Sequence, residues 1–147
     1  MLNIEINGRP AEVEDVHRVA VRNFGHFTSM QVRDDVLFVG RDGRLREGSV
    51  WNVAFWDGRQ VVWPDADVLP GVTMQLLQRG LTRVGVPWAV LPLTSADLPS
   101  LEAGAAANSL CPCQPLAGID RTAFPGDGGA LVEALGAAWA GVPWDTL

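Results

Sequence analysis

The sequence contains no lysine and no tyrosine, and only two of its 147 residues are cysteine. Without lysine the chain has no side-chain amine that could form a Schiff base, because the guanidinium group of arginine stays charged. Cys111 and Cys113 lie one residue apart, which excludes a disulfide framework. The sequence also lacks a secretory pattern and an apolar run long enough to span a bilayer, so we expect a cytoplasmic protein.

Positive charge is scarce as well. Eleven arginines stand against 17 acidic residues, for a net charge of −6, and the arginines form no basic stripe. Such a surface repels phosphate backbones and anionic lipids, so we expect neither a nucleic acid nor a membrane as partner. Hydrophobic residues make up 48% of the chain, which is typical of a globular domain. Abundant alanine, glycine and arginine without lysine are typical of GC-rich bacterial genes.

The first half of the chain has mostly the alternating pattern of strands. Asn7-Gly8 joins two short extended runs and predicts a hairpin. Residues 12–21 have helical spacing, and residues 25–34 return to alternation. Residues 26–63 therefore predict mostly antiparallel strands with polar turns, one of them at Asp57-Gly58.

The second half begins with a change of period. Val72, Leu77 and Leu81 recur at helical spacing, Pro70-Gly71 precede them, and Gly85 marks the end of the predicted helix. Further predicted elements are a strand at 88–93, a short helix at 95–101, a strand at 103–110, an irregular stretch at 111–127 and a helix at 128–140. Together these elements predict an α+β domain in which strands outnumber helices.

Four blocks in series resemble the class IV aminotransferases, the group that includes branched-chain and D-amino acid aminotransferases and aminodeoxychorismate lyase. The blocks read NFGHFTSMQVRD, LREGSVWNVAFWDG, VVWPDADVLPGVTMQLLQRGL and ANSLCPCQPLAGID. The resemblance implies a partial large domain at residues 35–147, a single compact α+β domain. It is preceded by a remnant of the small domain at residues 1–34.

The resemblance also implies a cofactor site. In the family, the block that matches Glu47 and Asn52 supplies the glutamate that faces the pyridine nitrogen of pyridoxal phosphate, and Asn52 is its strand partner. The start of the family's phosphate-binding helix matches Gly71, Val72 and Thr73. A second phosphate contact is implied for three successive residues, Asn108, Ser109 and Leu110.

One departure from the family pattern bears on the chemistry. Residues 30–34 run directly into residues 35–39, where the family has a large segment that carries the Schiff-base lysine and a phosphate-binding arginine. The resemblance therefore implies an internally truncated chain without that lysine. Such a chain cannot work as a lysine-dependent pyridoxal phosphate enzyme.

The remaining site residues each have two interpretations. Glu47 is either a partly buried general acid or base or a carboxylate that accepts hydrogen bonds from backbone at a strand turn. His26 either exchanges a proton with Glu47 or is a satisfied histidine on a strand. The helix start at Val72 and Thr73 either binds an anionic ligand without a covalent bond or is an inherited structural feature.

The two cysteines have alternatives of their own. A thiol at Cys111 or Cys113 is a possible nucleophile if its pKa is depressed, and otherwise the pair are small buried apolar residues. Their spacing, taken with that of His17 and His26, fits no zinc pattern, so we expect no metal.

These observations predict a repurposed family member that uses no cofactor. It would bind a small anionic or carbonyl-bearing metabolite in the former cofactor pocket. Glu47 and His26 would catalyse isomerisation, cyclisation or elimination in bacterial metabolism. One alternative is a noncatalytic partner of an intact enzyme, and another is a protein that binds pyridoxal or pyridoxamine phosphate noncovalently. We expect a homodimer, or a heterodimer with a related enzyme.

Overall fold

The computed structural model describes residues 5–6, 9–10, 36–124 and 128–143. The chain divides into two compact units, Met1–Gln31 and Val32–Leu147. In the first unit, strands β1 (Glu5–Ile6) and β2 (Arg9–Pro10) pair antiparallel, with Ile6 opposite Arg9. This is the register of the predicted hairpin.

Several predictions about the N-terminal region lie outside the described residues. They are the helix at 12–21, the strand at 25–34 and the position of His26. The assignment of residues 1–34 and 35–147 to the two domains of the family stays a prediction.

The second unit is built on a five-stranded mixed sheet with the order β7-β6-β5-β8-β9. Its strands are β5 (Asn52–Trp56), β6 (Val61–Pro64), β7 (Trp88–Leu91), β8 (Ala103–Ala107) and β9 (Gln114–Leu116). Neighbouring strands are antiparallel except for β6 and β7. A parallel pair needs a crossover connection, and here a helix provides it.

Two small hairpins accompany this sheet. Strand β3 (Leu37–Val39) pairs with β4 (Leu45–Gly48) immediately before β5. Strand β10 (Gly118–Ile119) pairs with β11 (Thr122–Ala123) after β9. The first hairpin carries Glu47 to the beginning of β5.

Both faces of the sheet are buried, which explains why its central strands read as nearly continuous apolar runs. Successive side chains of a strand point to opposite faces. Ala54 and Trp63 therefore pack with the helices on one face. Phe55 and Val62 pack on the other face, beneath the loops that precede β8.

Two helices cover one face of the sheet. Helix α1 (Val72–Val84) ends at Gly85, which has a φ of +73°, a conformation that glycine adopts without strain. Helix α2 (Gly129–Ala140) packs against α1. The core between them and the sheet contains Leu77, Leu81, Leu131 and Leu135, each with no exposed surface.

The predicted α+β fold is confirmed, with local differences, one of which is that the strand predicted at 103–110 ends at Ala107. The stretch from 111 to 127, predicted as irregular, contains the short strands β9, β10 and β11. These strands have only two or three residues, contain Pro115 and Gly118, and show no apolar alternation. The sequence therefore does not predict them. The predicted helix at 95–101 is a single 3-10 turn, Leu98–Ser100.

Candidate functional site

The carboxylate of Glu47 is half-buried and held by two donors. The Nδ2 group of Asn52 donates a hydrogen bond to Glu47 Oε2 over 3.0 Å. The backbone N–H of Leu69 lies 3.1 Å from both Oε1 and Oε2. Glu47 thus accepts a backbone hydrogen bond, but from the loop before α1 and not from the neighbouring strand turn of the second interpretation. This bond leaves the first interpretation open, because an ionised carboxylate has about four lone-pair sites.

Helix α1 starts three residues beyond Leu69, at Val72. Gly71 is its N-cap residue, and no side chain caps the helix. The first intrahelical bond runs from Gln75 N–H to Gly71 O over 3.0 Å. In the first turn of an α-helix the amides have no intrahelical acceptor, which is the basis of anion binding at helix starts. Of the two residues predicted to contribute, Val72 is exposed and Thr73 is buried.

The predicted second phosphate contact is a closed turn. The Oδ1 atom of Asn108 accepts the N–H of Leu110 at 3.0 Å and that of Cys111 at 2.9 Å. The N–H of Asn108 donates to Cys111 O. The Leu110 amide is thus already engaged within the turn, and its side chain is 93% exposed. Ser109 is exposed, and its role as a phosphate contact stays a prediction.

The sheet brings these groups to one edge. Asn52 opens β5 and lies opposite Ala107, the last residue of β8, so Asn52 and Asn108 are near the same end of adjacent strands. Strand β6 runs antiparallel to β5 and ends at this edge, where the chain continues to Leu69 and α1. Glu47, Asn52, the start of α1 and the turn at Asn108 therefore share one edge.

Two features of the site were missed in the sequence. The donor at Leu69 is a backbone N–H group, and no pattern of side chains predicts it. The Oδ1 atom of Asn108 closes a turn, and a ligand contact of this residue stays a prediction. An Asn followed by Ser does favour this kind of turn, and that signal could have indicated the role.

The cysteines adjoin this edge but differ in their suitability as nucleophiles. Cys113 packs partly buried against the core. Burial, with a smaller effect of Cys111, raises the pKa of the Cys113 thiol from 9.0 to about 11. The thiolate is the nucleophilic form, so Cys113 is a poor candidate near neutral pH. A nucleophilic role for Cys111 stays a prediction.

Alkylation by iodoacetamide tests this difference. In a Cys111→Ser variant, we expect Cys113 to react more slowly than N-acetylcysteine at pH 7.5, because burial, the larger of the two causes, is kept and makes its thiolate rarer. The rate should rise about tenfold per pH unit through the neutral range. Mass spectrometry of the labelled peptide gives the rate. Alkylation of Cys113 as fast as that of N-acetylcysteine would contradict the effect of burial.

Two other kinds of feature are absent from the part of the chain that the structure describes. Within residues 36–124 and 128–143 there is no group of three or more potential metal-ligating side chains. In the same ranges, no helix has the length and apolar character needed to cross a membrane.

The profile of the amino-transferase class IV family matches residues 23–119, which is more than half of the chain. The chain therefore belongs to the class IV aminotransferase family, and the predicted resemblance is confirmed. No curated protein matches the sequence.

Solved structures share the fold at low sequence identity. The T.th. branched-chain amino acid aminotransferase with pyridoxamine 5′-phosphate has 19% identity and a TM-score of 0.66 over 74% of this chain and 37% of its own. The Escherichia coli branched-chain enzyme has 16% identity and a TM-score of 0.67 over 74% and 38%. A Legionella pneumophila protein assigned as a 4-amino-4-deoxychorismate lyase has 20% identity and a TM-score of 0.65 over 69% and 38%.

The chain spans 37–38% of the length of these three relatives, consistent with the predicted truncation. At this identity the likeness shows the fold alone. The activities, substrates and partners of the whole relatives are carried to this chain only as proposals.

The expectation that the chain uses no cofactor is wrong. The T.th. enzyme is solved both with pyridoxamine 5′-phosphate and with N-(5′-phosphopyridoxyl)-L-glutamate, and the family match points to a cofactor of the pyridoxal phosphate type. The expectation treated loss of the Schiff-base lysine as loss of the cofactor. Noncovalent contacts to ring and phosphate do not require that lysine.

Proposed function

We propose that this chain binds pyridoxamine 5′-phosphate without a covalent bond, at the sheet edge that carries Glu47, Ser109 and the start of α1. One observation carries the proposal. The Glu47 carboxylate is held by Asn52 Nδ2 and Leu69 N–H, immediately before the uncapped N-terminus of α1. The acceptor for a ring nitrogen and the donors for a phosphate are therefore joined by the short loop that leads into α1.

The donor and acceptor types fit the two ends of this molecule. Glu47 would accept a hydrogen bond from the protonated ring nitrogen, and such charge-assisted bonds contribute roughly 1.5–3 kcal/mol. The Asn52 and Leu69 contacts fix the carboxylate before the ligand arrives, which lowers the ordering cost of binding.

The phosphate would be held by the amides of Val72 and Thr73, with Ser109 on the neighbouring turn. Gly71 has no Cβ that would crowd this helix start. The helix dipole favours an anion there, and such a charge at an exposed helix terminus contributes about 0.3–1 kcal/mol. Leu110 contributes less than the sequence predicted, because its N–H already donates to Asn108.

When bound, pyridoxamine 5′-phosphate supplies a primary amine for transfer to a carbonyl compound. The chain itself has no lysine to supply a Schiff-base nitrogen, so we propose retention of the cofactor and not lysine-dependent turnover. Association with a second copy or a related enzyme stays a prediction, as does the cytoplasmic location. Proton exchange between Glu47 and His26 is not retained, because it was expected of a cofactor-free site.

A Val72→Pro variant tests the phosphate end. Val72 is the first residue of α1, a position where proline is well tolerated and removes only an N–H without an intrahelical acceptor. Gly71, with φ −58° and ψ 145°, already has the conformation favoured before proline. We expect pyridoxamine 5′-phosphate to bind about tenfold more weakly, because the variant loses one hydrogen bond to a charged group.

Pyridoxamine, which lacks the phosphate, is the control ligand for this variant. Its affinity should be the same with and without Val72→Pro, by calorimetry, with circular dichroism to verify the helix. Equal affinity of the two proteins for pyridoxamine 5′-phosphate would mean that α1 does not hold the phosphate.

A further inference from the structure

The side chain of Asn52 lies between the two ends of the proposed site. It is 7% exposed, and its Nδ2 group donates both to Glu47 Oε2 at 3.0 Å and to Leu69 O at 2.8 Å. Both amide hydrogens are therefore used. One bond fixes the carboxylate and the other fixes the loop that leads into α1.

The opposite side of the same amide contacts the helix start. A Cβ atom added at Gly71 would lie 2.4 Å from Asn52 Oδ1, closer than real Cβ contacts allow. The N–H of Gly71 also donates to Leu69 O over 2.8 Å, so Leu69 O accepts from both Asn52 and Gly71. The absence of a side chain at Gly71 lets Asn52 pack directly against the N-cap of α1.

We infer that Asn52 is a positioning residue that couples Glu47 to the start of α1. The carboxylate that faces the ring nitrogen and the amides that face the phosphate are then set in one arrangement, at a fixed separation. The inference rests on the proposed function for the identity of the ligand, but the coupling itself is a property of the ligand-free chain. Asn52 itself touches neither end of the ligand in this account.

The first test needs no ligand. Gly71→Ala introduces the close contact with Asn52 Oδ1, and Asn52→Ala removes that oxygen. We expect Gly71→Ala to lower the urea midpoint of the otherwise unsubstituted chain, and the shift to be at least halved in the Asn52→Ala background. Gly136→Ala is the matched control, because nothing lies within 4 Å of a Cβ there. Equal shifts for Gly71→Ala in both backgrounds would overturn the coupling.

The second test separates positioning from simple packing. Asn52→Asp has the same shape as asparagine but replaces the donor with an acceptor that faces the Glu47 carboxylate. The lost donor holds Glu47 at one end of the site and, through Leu69 O, the loop into α1 at the other, so we expect binding of both pyridoxamine and inorganic phosphate to weaken tenfold or more. Rescue of either affinity by the isosteric aspartate, or a loss confined to one ligand, would overturn the inference.

The two failures can be told apart. If the unsubstituted chain binds none of these ligands, the proposed function fails, and the urea measurements alone decide the coupling. If the chain binds pyridoxamine 5′-phosphate but the Gly71 and Asn52 effects are additive, the coupling fails and the proposed function stands.

Discussion

Replacing Gly80 with alanine is expected to lower the free energy of unfolding by about 1–3 kcal/mol, the usual cost of overfilling a packed interior. A Cβ at Gly80 would lie 2.4 Å from Ala138 O and 2.9 Å from Ala138 Cβ, at the crossing of α1 and α2. Neither neighbour can yield easily, since the first is helix backbone and Ala138 has no exposed surface. The helices would have to separate and loosen the leucine core.

The direction of the stability change distinguishes a close helix crossing from an unobstructed helix position. In a helix interior, alanine is more favourable than glycine by roughly 0.8–1 kcal/mol, so an unobstructed position should be stabilised. Gly136 in α2 is such a position, because no atom lies within 4 Å of a Cβ there. Equilibrium urea unfolding of Gly80→Ala and Gly136→Ala should therefore shift in opposite directions. Stabilisation of both variants would contradict the close helix crossing.

Replacing Glu47 with glutamine is expected to weaken binding of pyridoxamine 5′-phosphate about 10- to 100-fold. The change removes the negative charge that would face the ring nitrogen, and a hydrogen bond to a charged group contributes roughly 1.5–3 kcal/mol. Glutamine has nearly the same shape as glutamate and can still accept the Leu69 N–H, so the local fold should be kept. Calorimetry gives the two dissociation constants.

The matched control is Glu102→Gln. Glu102 is exposed at the opposite end of the sheet, where its N–H donates to Trp56 O, and it carries the same charge change far from the site. We expect its affinity to equal that of the unsubstituted chain. Equal weakening by both variants would assign the effect to net charge, and no weakening by Glu47→Gln would remove Glu47 from the site.

The elements that could be predicted from the sequence are those with a local signal. Helix α1 has both its period and its boundary residues, Pro70-Gly71 and Gly85, and the structure places it at Val72–Val84. Strands β9 to β11 could not be predicted, because each has at most three residues, too few to show an alternating pattern, although β10 and β11 pair with each other.

The site was predictable to the extent that side chains define it. Glu47, Asn52, Val72 and Thr73 were identified through the family resemblance, and the sheet brings them to one edge. The backbone donor of Leu69 and the contact between Gly71 and Asn52 depend on tertiary structure alone, whereas the turn closed by Asn108 is local and has a sequence signal. The expectation of a cofactor-free protein failed for a chemical reason, because a missing lysine removes a covalent bond but not the contacts to ring and phosphate.

Noncovalent cofactor binding at this edge of the sheet is tested by a calorimetric titration of the unsubstituted chain with pyridoxamine 5′-phosphate. We predict one site per chain with micromolar affinity. Pyridoxamine and inorganic phosphate each lack one end of the ligand, so we predict that they bind at least about tenfold more weakly. The absence of binding, or the same affinity for all three ligands, would contradict a noncovalent cofactor site at this edge of the sheet.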